Sequence, residues 1–171
     1  KIAPGACQWS GVAISTACDI VPVTGENRVL THFGLKRVNQ DPRPGVKSMM
    51  QMANVKKRLG VTELVFTIGP RINAAGRIEH GRQAVELLLA KDQVQADQMG
   101  LRVDGNNTHR QELDKDMTRD ALERIGQDDF LRGSWSTVVF NETWHKGVIG
   151  IVASRLIEQY YRPTVVLTES M

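Results

Sequence analysis

The segment Gly69–Arg77, which reads GPRINAAGR, holds the side chains best suited to binding a phosphate group. Arg71 and Arg77 stand at its two sides, and their forked guanidinium groups match phosphate oxygens better than a lysine ammonium does. Asn73 lies between them and can hydrogen-bond a phosphate, a base edge or its own backbone. The alternative is a helix that ends at Gly76, with the arginines bound to its last carbonyl groups. Two arginines and an asparagine among small residues favour the phosphate-binding interpretation.

A second candidate is the carboxylate of Asp19, which follows the short β-branched run Val12–Thr16. This run predicts a buried strand. In open α/β sheets ligands bind beyond the carboxyl ends of the strands, so a carboxylate there suits a hard divalent cation. The alternative is an aspartate that accepts a backbone N–H in a turn, and the residues alone favour this alternative.

A third candidate is the segment Trp144–Gly150, which reads WHKGVIG and joins a predicted strand to a predicted helix. The first N–H groups of a helix carry a partial positive charge, so they predict an anion site that His145 and Lys146 would extend. The alternative is that the two glycines let the helix pack closely on the sheet and that the histidine is structural. The sequence leaves both interpretations open.

Charge is distributed unevenly along the chain, although the formal net charge is only +3. Residues 28–91 contain 12 basic and 4 acidic side chains, whereas residues 92–128 contain 5 basic and 9 acidic ones. A basic block beside an acidic helix predicts a face that binds a polyanion such as nucleic acid. A solvated helical surface explains the same charges equally well.

Composition bounds the class of protein and its setting. With 41% hydrophobic and 24% charged residues, the chain is ordinary for a globular protein, which excludes disorder over its whole length. Two cysteines without a CxxC spacing are too few for a disulfide scaffold and favour a reduced, cytoplasmic setting. No apolar run approaches the ~18 residues that span a bilayer, so no membrane association is expected.

The first half of the chain is predicted to be largely helical after its first strand. One helix begins at residues 24–26 and another begins after Pro44. The first of these helices has apolar residues at roughly helical spacing, which are Val29, Leu30, Phe33, Leu35 and Val38.

The second half begins with one long helix. Asp92 and Gln95 form a capping pair for a helix over residues 92–126, whose length of ~50 Å is typical of a helix that connects two domains. A strand–helix–strand order then predicts the start of an α/β domain, with its elements at Ser136–Phe140, Val148–Tyr160 and Thr164–Thr168.

Taken in order along the chain, these segments resemble the RecJ single-strand-specific exonucleases of the DHH phosphoesterase superfamily. The Pro-Arg-Ile-Asn-Ala-Ala-Gly-Arg element is the most specific part of the resemblance. The other matching stretches are Asp19–Val23, Gly25–Arg28, Gly34–Arg37, Pro42–Gly45 and Trp144–Arg155.

The resemblance implies an α/β protein of three parts. Residues 1–91 would be the end of a DHH-type parallel-sheet catalytic domain, residues 92–126 a long connecting helix, and residues 127–171 the start of an α/β DHH-associated domain. A nucleic-acid groove would lie between the two domains. Other members' aspartate motifs and Asp-His-His triplet would lie before Lys1, and their serine/arginine and glycine-histidine motifs after Met171.

The resemblance also implies the activity. A 5′–3′ exonuclease of single-stranded DNA would use Mn²⁺ or Mg²⁺ and a water nucleophile, in DNA repair and recombination, with proteins of DNA repair as partners. Asp19 falls on the last metal-binding aspartate of the family. Arg71, Asn73 and Arg77 fall on a motif expected to line the DNA path, and His145 and Lys146 are candidate contacts.

Two other functions stay open. The chain could be a nucleic-acid-binding or scaffold segment without hydrolytic activity, which the basic block fits as well. Another DHH relative, one that degrades oligonucleotides or cyclic dinucleotides, is the closest alternative enzyme. Since one aspartate cannot hold two metal ions, the 171-residue chain alone is expected to have no nuclease activity.

Overall fold

The computed structural model describes the backbone of residues 7–169 and the side chains of residues 9–169. The chain divides into two compact units, Lys1–Asn107 and Thr108–Met171. Both strands found among the described residues lie in the second unit, and most of the remainder is helical. No helix in this described part has the length and apolar character of a membrane span.

The elements follow one another with short connections. In the first unit they are α1 (Cys7–Cys18), α2 (Gly25–Gln40), α3 (Pro44–Met52), α4 (Val61–Glu63), a π-helical segment (Leu64–Ile68), α5 (Gly69–Ile78) and α6 (Arg82–Leu89). Helix α7 (Gln93–Gln127) begins in the first unit and ends in the second. The second unit continues with α8 (Asp129–Gly133), β1 (Thr137–Phe140), α9 (Ile149–Tyr160) and β2 (Thr164–Leu167).

Helix α1 occupies the segment for which a strand was predicted, so the prediction for Val12–Thr16 is wrong. One face of α1 buries Ser10, Ala13 and Ala17, which recur at helical spacing. A Cβ on Gly34 of α2 would collide with the backbone of α1, so the two helices pack almost backbone to backbone. This close packing outweighs the strand propensity of the β-branched residues. The parallel sheet expected in residues 1–91 is therefore not found among the described residues of the first unit.

Helix α2 begins where it was predicted. Thr31, Gly34 and Val38 are the residues of α2 that face the core. Among its apolar residues at helical spacing, Val29 and Phe33 are exposed. The small residue at position 34 determines this face, because only glycine allows α1 to approach so closely.

The Gly69–Arg77 segment belongs to a helical stretch that continues from α4 through the π-helical segment into α5. Glu63 accepts the N–H of Gly60 at 2.8 Å, which stabilises the first turn. Because α5 runs on to Ile78, Gly76 lies inside the helix and does not end it. The interpretation of Gly76 as a helix C-cap is therefore wrong.

Helix α7 confirms the prediction of one long helix and measures about 52 Å over its 35 residues. The carboxylate of Asp92 accepts the N–H of Gln95 at 2.8 Å, as expected of the capping pair. The buried face of the helix repeats every three or four residues on each side of residues 108–113, which are not buried. Its members are Ala96, Gly100, Val103 and Asn107 before this interval and Asp114, Met117, Ala121 and Ile125 after it.

The predicted strand–helix–strand order is confirmed in the second unit. Strands β1 and β2 are parallel neighbours, with Thr137 opposite Thr164 and Phe140 opposite Leu167. Val139 and Val166 are buried on one face of this sheet, in the same unit as the buried Val152 and Leu156 of α9. Arg162 ties the sheet to α8, because its guanidinium donates to the carbonyl of Leu131 at 2.7 Å and to the hydroxyl of Thr137 at 2.7 Å.

An ion pair with a buried carboxylate joins α7 to α9 within the second unit. The side chain of Asp114 is 3% exposed, and it accepts two hydrogen bonds from Arg155, at 2.7 Å from Nε and 2.6 Å from Nη2. The two-pronged geometry compensates the carboxylate for the loss of water.

The close packing of α1 on α2 can be tested by adding single methyl groups. We expect Gly34→Ala to lower the free energy of unfolding by about 1–3 kcal/mol, because the new Cβ meets the backbone of α1. Gly11→Ala is the matched control, since a Cβ at position 11 of α1 meets no atom within 4 Å. It should raise the stability by about 0.5–1 kcal/mol. Urea unfolding of both variants provides the comparison, and equal effects would contradict this packing.

Candidate metal and nucleic-acid site

Asp19 lies at the C-terminal end of helix α1, where the chain turns sharply. Its N–H donates to the carbonyl of Ser15 at 3.0 Å, and the N–H of Val21 closes the turn on the carbonyl of Thr16 at 3.0 Å. Ile20, between them, has a φ of 53°, a left-handed conformation that is costly for a β-branched residue. The strained residue thus stands directly beside the candidate metal ligand.

The environment of Asp19 favours a cation for a reason other than the one predicted. The strand end that was expected to present it is absent, because residues 12–16 are helical. Asp19 is exposed and stands where the carbonyl groups of α1 carry a partial negative charge. A carboxylate at this end of a helix is unfavourable by itself, so a bound cation would relieve the repulsion.

Helix α5 packs against this same end of α1. A Cβ on Gly69 would lie 3.3 Å from Sγ of Cys18 and 3.2 Å from the carbonyl of Leu64, so only glycine fits without displacement. Asn73 then donates from Nδ2 to the carbonyl of Cys18 at 3.3 Å. The structure therefore brings Asn73 next to the residue that precedes Asp19.

Arg71 is held by two partners in the first unit. Its Nε donates to Asp104 of α7 at 2.8 Å, and its Nη1 donates to the carbonyl of Thr67 at 2.7 Å. Thr67 lies in the π-helical segment, where the wider turn changes the pairing of the backbone carbonyls. The side chain of Arg71 is only 17% exposed, whereas Arg77 is exposed in the last turn of α5.

Among the described residues, Asp19 is a candidate ligand for a metal ion, but these residues do not form a complete metal site. No group of three or more histidine, cysteine, aspartate or glutamate side chains that could hold a metal occurs among the described residues. Asp19 offers the carboxylate oxygens that Mg²⁺ and Mn²⁺ prefer. Burial, and after it the charge of Asp19, raise the pKa of the neighbouring Cys18 thiol to about 11. This thiol is therefore protonated at neutral pH and is a poor ligand.

In the second unit, Asp120 of α7 fixes the position of the Trp144 segment. Its Oδ2 accepts hydrogen bonds from Nε1 of Trp144 at 2.9 Å and from Nδ2 of Asn141 at 2.8 Å. The guanidinium of Arg124 lies 5.8 Å from the centre of the Trp144 ring. Thr168, after β2, donates to the carbonyl of Trp144 at 2.6 Å. The loop between β1 and α9 is thus held from two sides.

Most backbone N–H groups in the turn that contains His145 donate hydrogen bonds within the turn. The N–H of Gly147 donates to Nδ1 of His145 at 3.1 Å, so the neutral imidazole carries its proton on Nε2. The amides of Val148 and Ile149 donate to the carbonyl of His145 at 2.9 and 3.3 Å. The expected anion site of unengaged amides is therefore not found at these positions. Nε2 of the half-buried His145 is the polar group of the ring that can meet an anion, and Lys146 beside it is exposed.

Comparison with known proteins shows what this chain resembles. It is 36% identical over 156 residues to the single-stranded-DNA-specific exonuclease RecJ of Bacillus subtilis. The aligned region covers 91% of this chain and 20% of that protein. Its fold matches the crystal structure of RecJ from Thermus thermophilus with Mg²⁺ at a TM-score of 0.85 and 30% identity. The match covers 98% of this chain and 26% of the crystallised one. The chain matches a segment of RecJ in both sequence and fold.

Further comparisons show how much of RecJ this similarity covers. A crystal structure of exonuclease RecJ bound to manganese matches at a TM-score of 0.84 and 30% identity, over 98% of this chain and 42% of that one. No family model matches the chain. The chain thus spans a fifth of the Bacillus subtilis RecJ and less than half of either crystallised RecJ.

Sequence reasoning found the RecJ segments but missed the aspartates that position them. Asp104 holds Arg71, and Asp120 holds Trp144, and both lie in the acidic helix α7. The sequence does not single out these two aspartates, which lie 16 residues apart, because the long helix contains many carboxylates. The assignment of particular side chains of this chain to metal binding and DNA binding stays a prediction.

Asp120 makes the stability of the second unit depend on pH. Partial desolvation alone would raise the pKa of this carboxyl, but the hydrogen bonds from Arg124, Asn141 and Trp144 outweigh it and lower the pKa below its ordinary value. The stabilisation is therefore complete above the pKa of an unfolded aspartate, about 4, and is lost as the pH falls through the folded pKa.

We expect Asp120→Asn to lower the free energy of unfolding at neutral pH by on the order of 1 kcal/mol, because the shared acceptor loses its charge. The variant should also lose less stability than the unchanged chain on acidification. Asp116→Asn is the control, since Asp116 forms an exposed pair with Arg119 on the same helix. Urea unfolding at neutral and acidic pH measures both, and identical pH dependence in all three proteins would refute this role of Asp120.

Proposed function

We propose that the chain is part of a single-stranded-DNA-specific exonuclease that hydrolyses phosphodiester bonds in the 5′–3′ direction with Mg²⁺ or Mn²⁺. The observation that carries the proposal is the match of fold and sequence to RecJ exonucleases, two of them with these metals bound. The proposal includes a cytoplasmic setting, a role in DNA repair and recombination, and proteins of DNA repair as partners.

The division of the protein into parts belongs to the same proposal. We assign residues 1–91 to the end of the DHH catalytic domain, 92–126 to a connecting helix and 127–171 to the start of the DHH-associated domain. Helix α7 supports the middle assignment, because it runs from Gln93 to Gln127. The parallel pair β1 and β2 with α9 supports the last one.

In this proposal Asp19 is one ligand of the metal site. A bound divalent ion would lower the pKa of a coordinated water and stabilise charge on the phosphate. Asp19 would contribute a carboxylate at the negative end of α1, and Ile20 would keep the turn that presents it. Asn73 would fix the distance between this turn and the Gly69–Arg77 segment through its bond to the Cys18 carbonyl.

The substrate would be held by side chains and by positive charge. Arg77, Asn73 and the remaining N–H groups of Arg71 would bind phosphate oxygens near the metal, because guanidinium groups bind phosphate in a two-pronged manner. His145, through its Nε2–H, and Lys146 would bind further phosphates. Arg71 also carries the ion pair to α7.

One observation favours a second function for the 171-residue chain by itself, which is binding of nucleic acid without hydrolysis. Among its described residues Asp19 has no companion ligands that would complete a metal site. The 171-residue chain by itself should therefore bind single-stranded DNA weakly and leave it intact. A DHH relative that degrades oligonucleotides or cyclic dinucleotides is the alternative enzyme, and a comparison of long and short substrates separates the two activities.

The metal-ligand assignment predicts a loss of hydrolysis without a loss of folding. In the whole protein that contains this chain, Asp19→Ala should reduce Mn²⁺-dependent degradation of 5′-labelled single-stranded DNA by at least about 100-fold, because a two-metal site loses a ligand. Glu26→Gln removes an exposed carboxylate a few residues further along and should leave the rate unchanged. Wild-type turnover in Asp19→Ala, with the fold confirmed by circular dichroism, would exclude this ligand.

Substitution of Arg71 and Arg77, one at a time, should distinguish a contact with DNA from a structural role. Arg77→Gln should flatten the dependence of log affinity on log salt by ~0.7, as expected for one lost phosphate contact to a single strand, with little change in stability. Arg71→Gln should flatten the slope similarly and also lower the stability, because Asp104 and the Thr67 carbonyl lose their donor. Binding to a short single strand at several salt concentrations and urea unfolding measure the two effects. An unchanged slope for Arg77→Gln would rule out the phosphate contact.

A further inference from the structure

One flank of helix α2 forms a groove that the Gly69–Arg77 segment does not line. Two adjoining depressions make up this groove, with volumes of about 340 and 300 Å³, and they share His32 and Leu35 in their linings. The first also includes Lys36 and Arg58, and the second includes Arg28. We refer to the two depressions together as the α2 groove.

Basic side chains line the α2 groove at regular intervals. Arg28, His32 and Lys36 stand four residues apart on one flank of α2, which places them about 6 Å apart along the helix axis. Arg58 adds a cation from the opposite side. In the described part of the chain none of these four side chains forms an ion pair, whereas Arg37 on the neighbouring face is paired with Asp41. Glu63 also lines the groove, and its carboxylate accepts the N–H of Gly60.

The groove is held in shape by a side chain of α2. Asn39 donates to the carbonyl of Leu59 at 2.9 Å and accepts the N–H of Leu59 at 2.8 Å. These paired bonds fix the segment that carries Arg58 against the helix. Thr31 lines the groove as well, and its buried hydroxyl has no hydrogen-bond partner among the described residues.

Aromatic rings stand beside the cations. Phe33 follows His32 on α2 and is 43% exposed, and its ring lies 5.2 Å from the imidazole and 5.4 Å from the ring of Trp9. Trp9 is itself 37% exposed. Proteins that bind single-stranded nucleic acid combine a basic groove for the phosphates with aromatic faces on which bases stack. An acidic peptide would need the cations but not the rings.

We infer that the α2 groove is a second contact surface for single-stranded nucleic acid, with the cations on the phosphodiester backbone and Phe33 and Trp9 against the bases. The inference rests on the proposed function for the nature of the substrate. It adds a surface on α2 to the segments around Asp19 and Arg77, so a bound strand would engage the first unit over a longer path.

The test removes two charges from the groove and two from elsewhere. Lys36→Gln with Arg58→Gln should flatten the slope of log affinity against log salt by ~1.4 for a short oligothymidylate, at ~0.7 for each lost contact. Lys47→Gln with Lys91→Gln removes the same charge from exposed positions outside the groove and should leave the slope unchanged. Phe33→Leu should weaken binding by about 5- to 100-fold, with the slope kept, because one stacked base is lost.

Binding is measured without divalent metal in the whole protein that contains this chain, and hydrolysis is measured separately with Mn²⁺. Unchanged slopes in the groove variant, or no binding at all by the unaltered protein, would overturn the inference. The groove variant could instead lose binding of a polyglutamate peptide while it keeps its binding of oligothymidylate. That result would assign the groove to a protein partner and would also overturn the inference. If the protein binds DNA through the groove but does not hydrolyse it, the inference is supported and the proposed exonuclease activity is contradicted.

Discussion

The close approach of helix α5 to the end of helix α1 determines the geometry of the candidate site. Gly69 permits this approach because any side chain there would press on Cys18 and on the Leu64 carbonyl. Asn73 then uses the Cys18 carbonyl as its acceptor, which leaves the next residue, Asp19, at the boundary between the two helices. If α5 moved away, the arginine-bearing segment and the candidate metal ligand would lose their fixed relation.

The same helix depends on a second constraint at its other side. Arg71 joins the carbonyl of Thr67 in the π-helical segment to Asp104 of α7, so an irregular piece of backbone is stabilised by a charged side chain. π-helical turns of this kind are frequent at functional sites, because they shift side chains relative to the regular helix. The arginine therefore serves the backbone of the site as well as any phosphate that it binds.

How much could be predicted from the sequence differs between the two units. The helix over 92–126 and the parallel strands agree with the structure to within about a residue, because their patterns are local and agree with the tertiary packing. The run Val12–Thr16 was misjudged, because its helical form depends on Gly34 of another helix. The pairings of Asp104 and Asp120 could not be read from sequence either, since each joins residues more than 20 positions apart.

Helix α7 has a consequence for local unfolding. Its buried residues extend from Ala96 to Ile125, but Asn107 and Thr108 belong to different compact units. The amides before this boundary are protected by the packing of one unit, and those after it by the packing of the other. We therefore expect hydrogen exchange along this single helix to follow two separate opening equilibria, with the half in the less stable unit exchanging first. A continuous helix can thus contain a break in cooperativity that its backbone does not show.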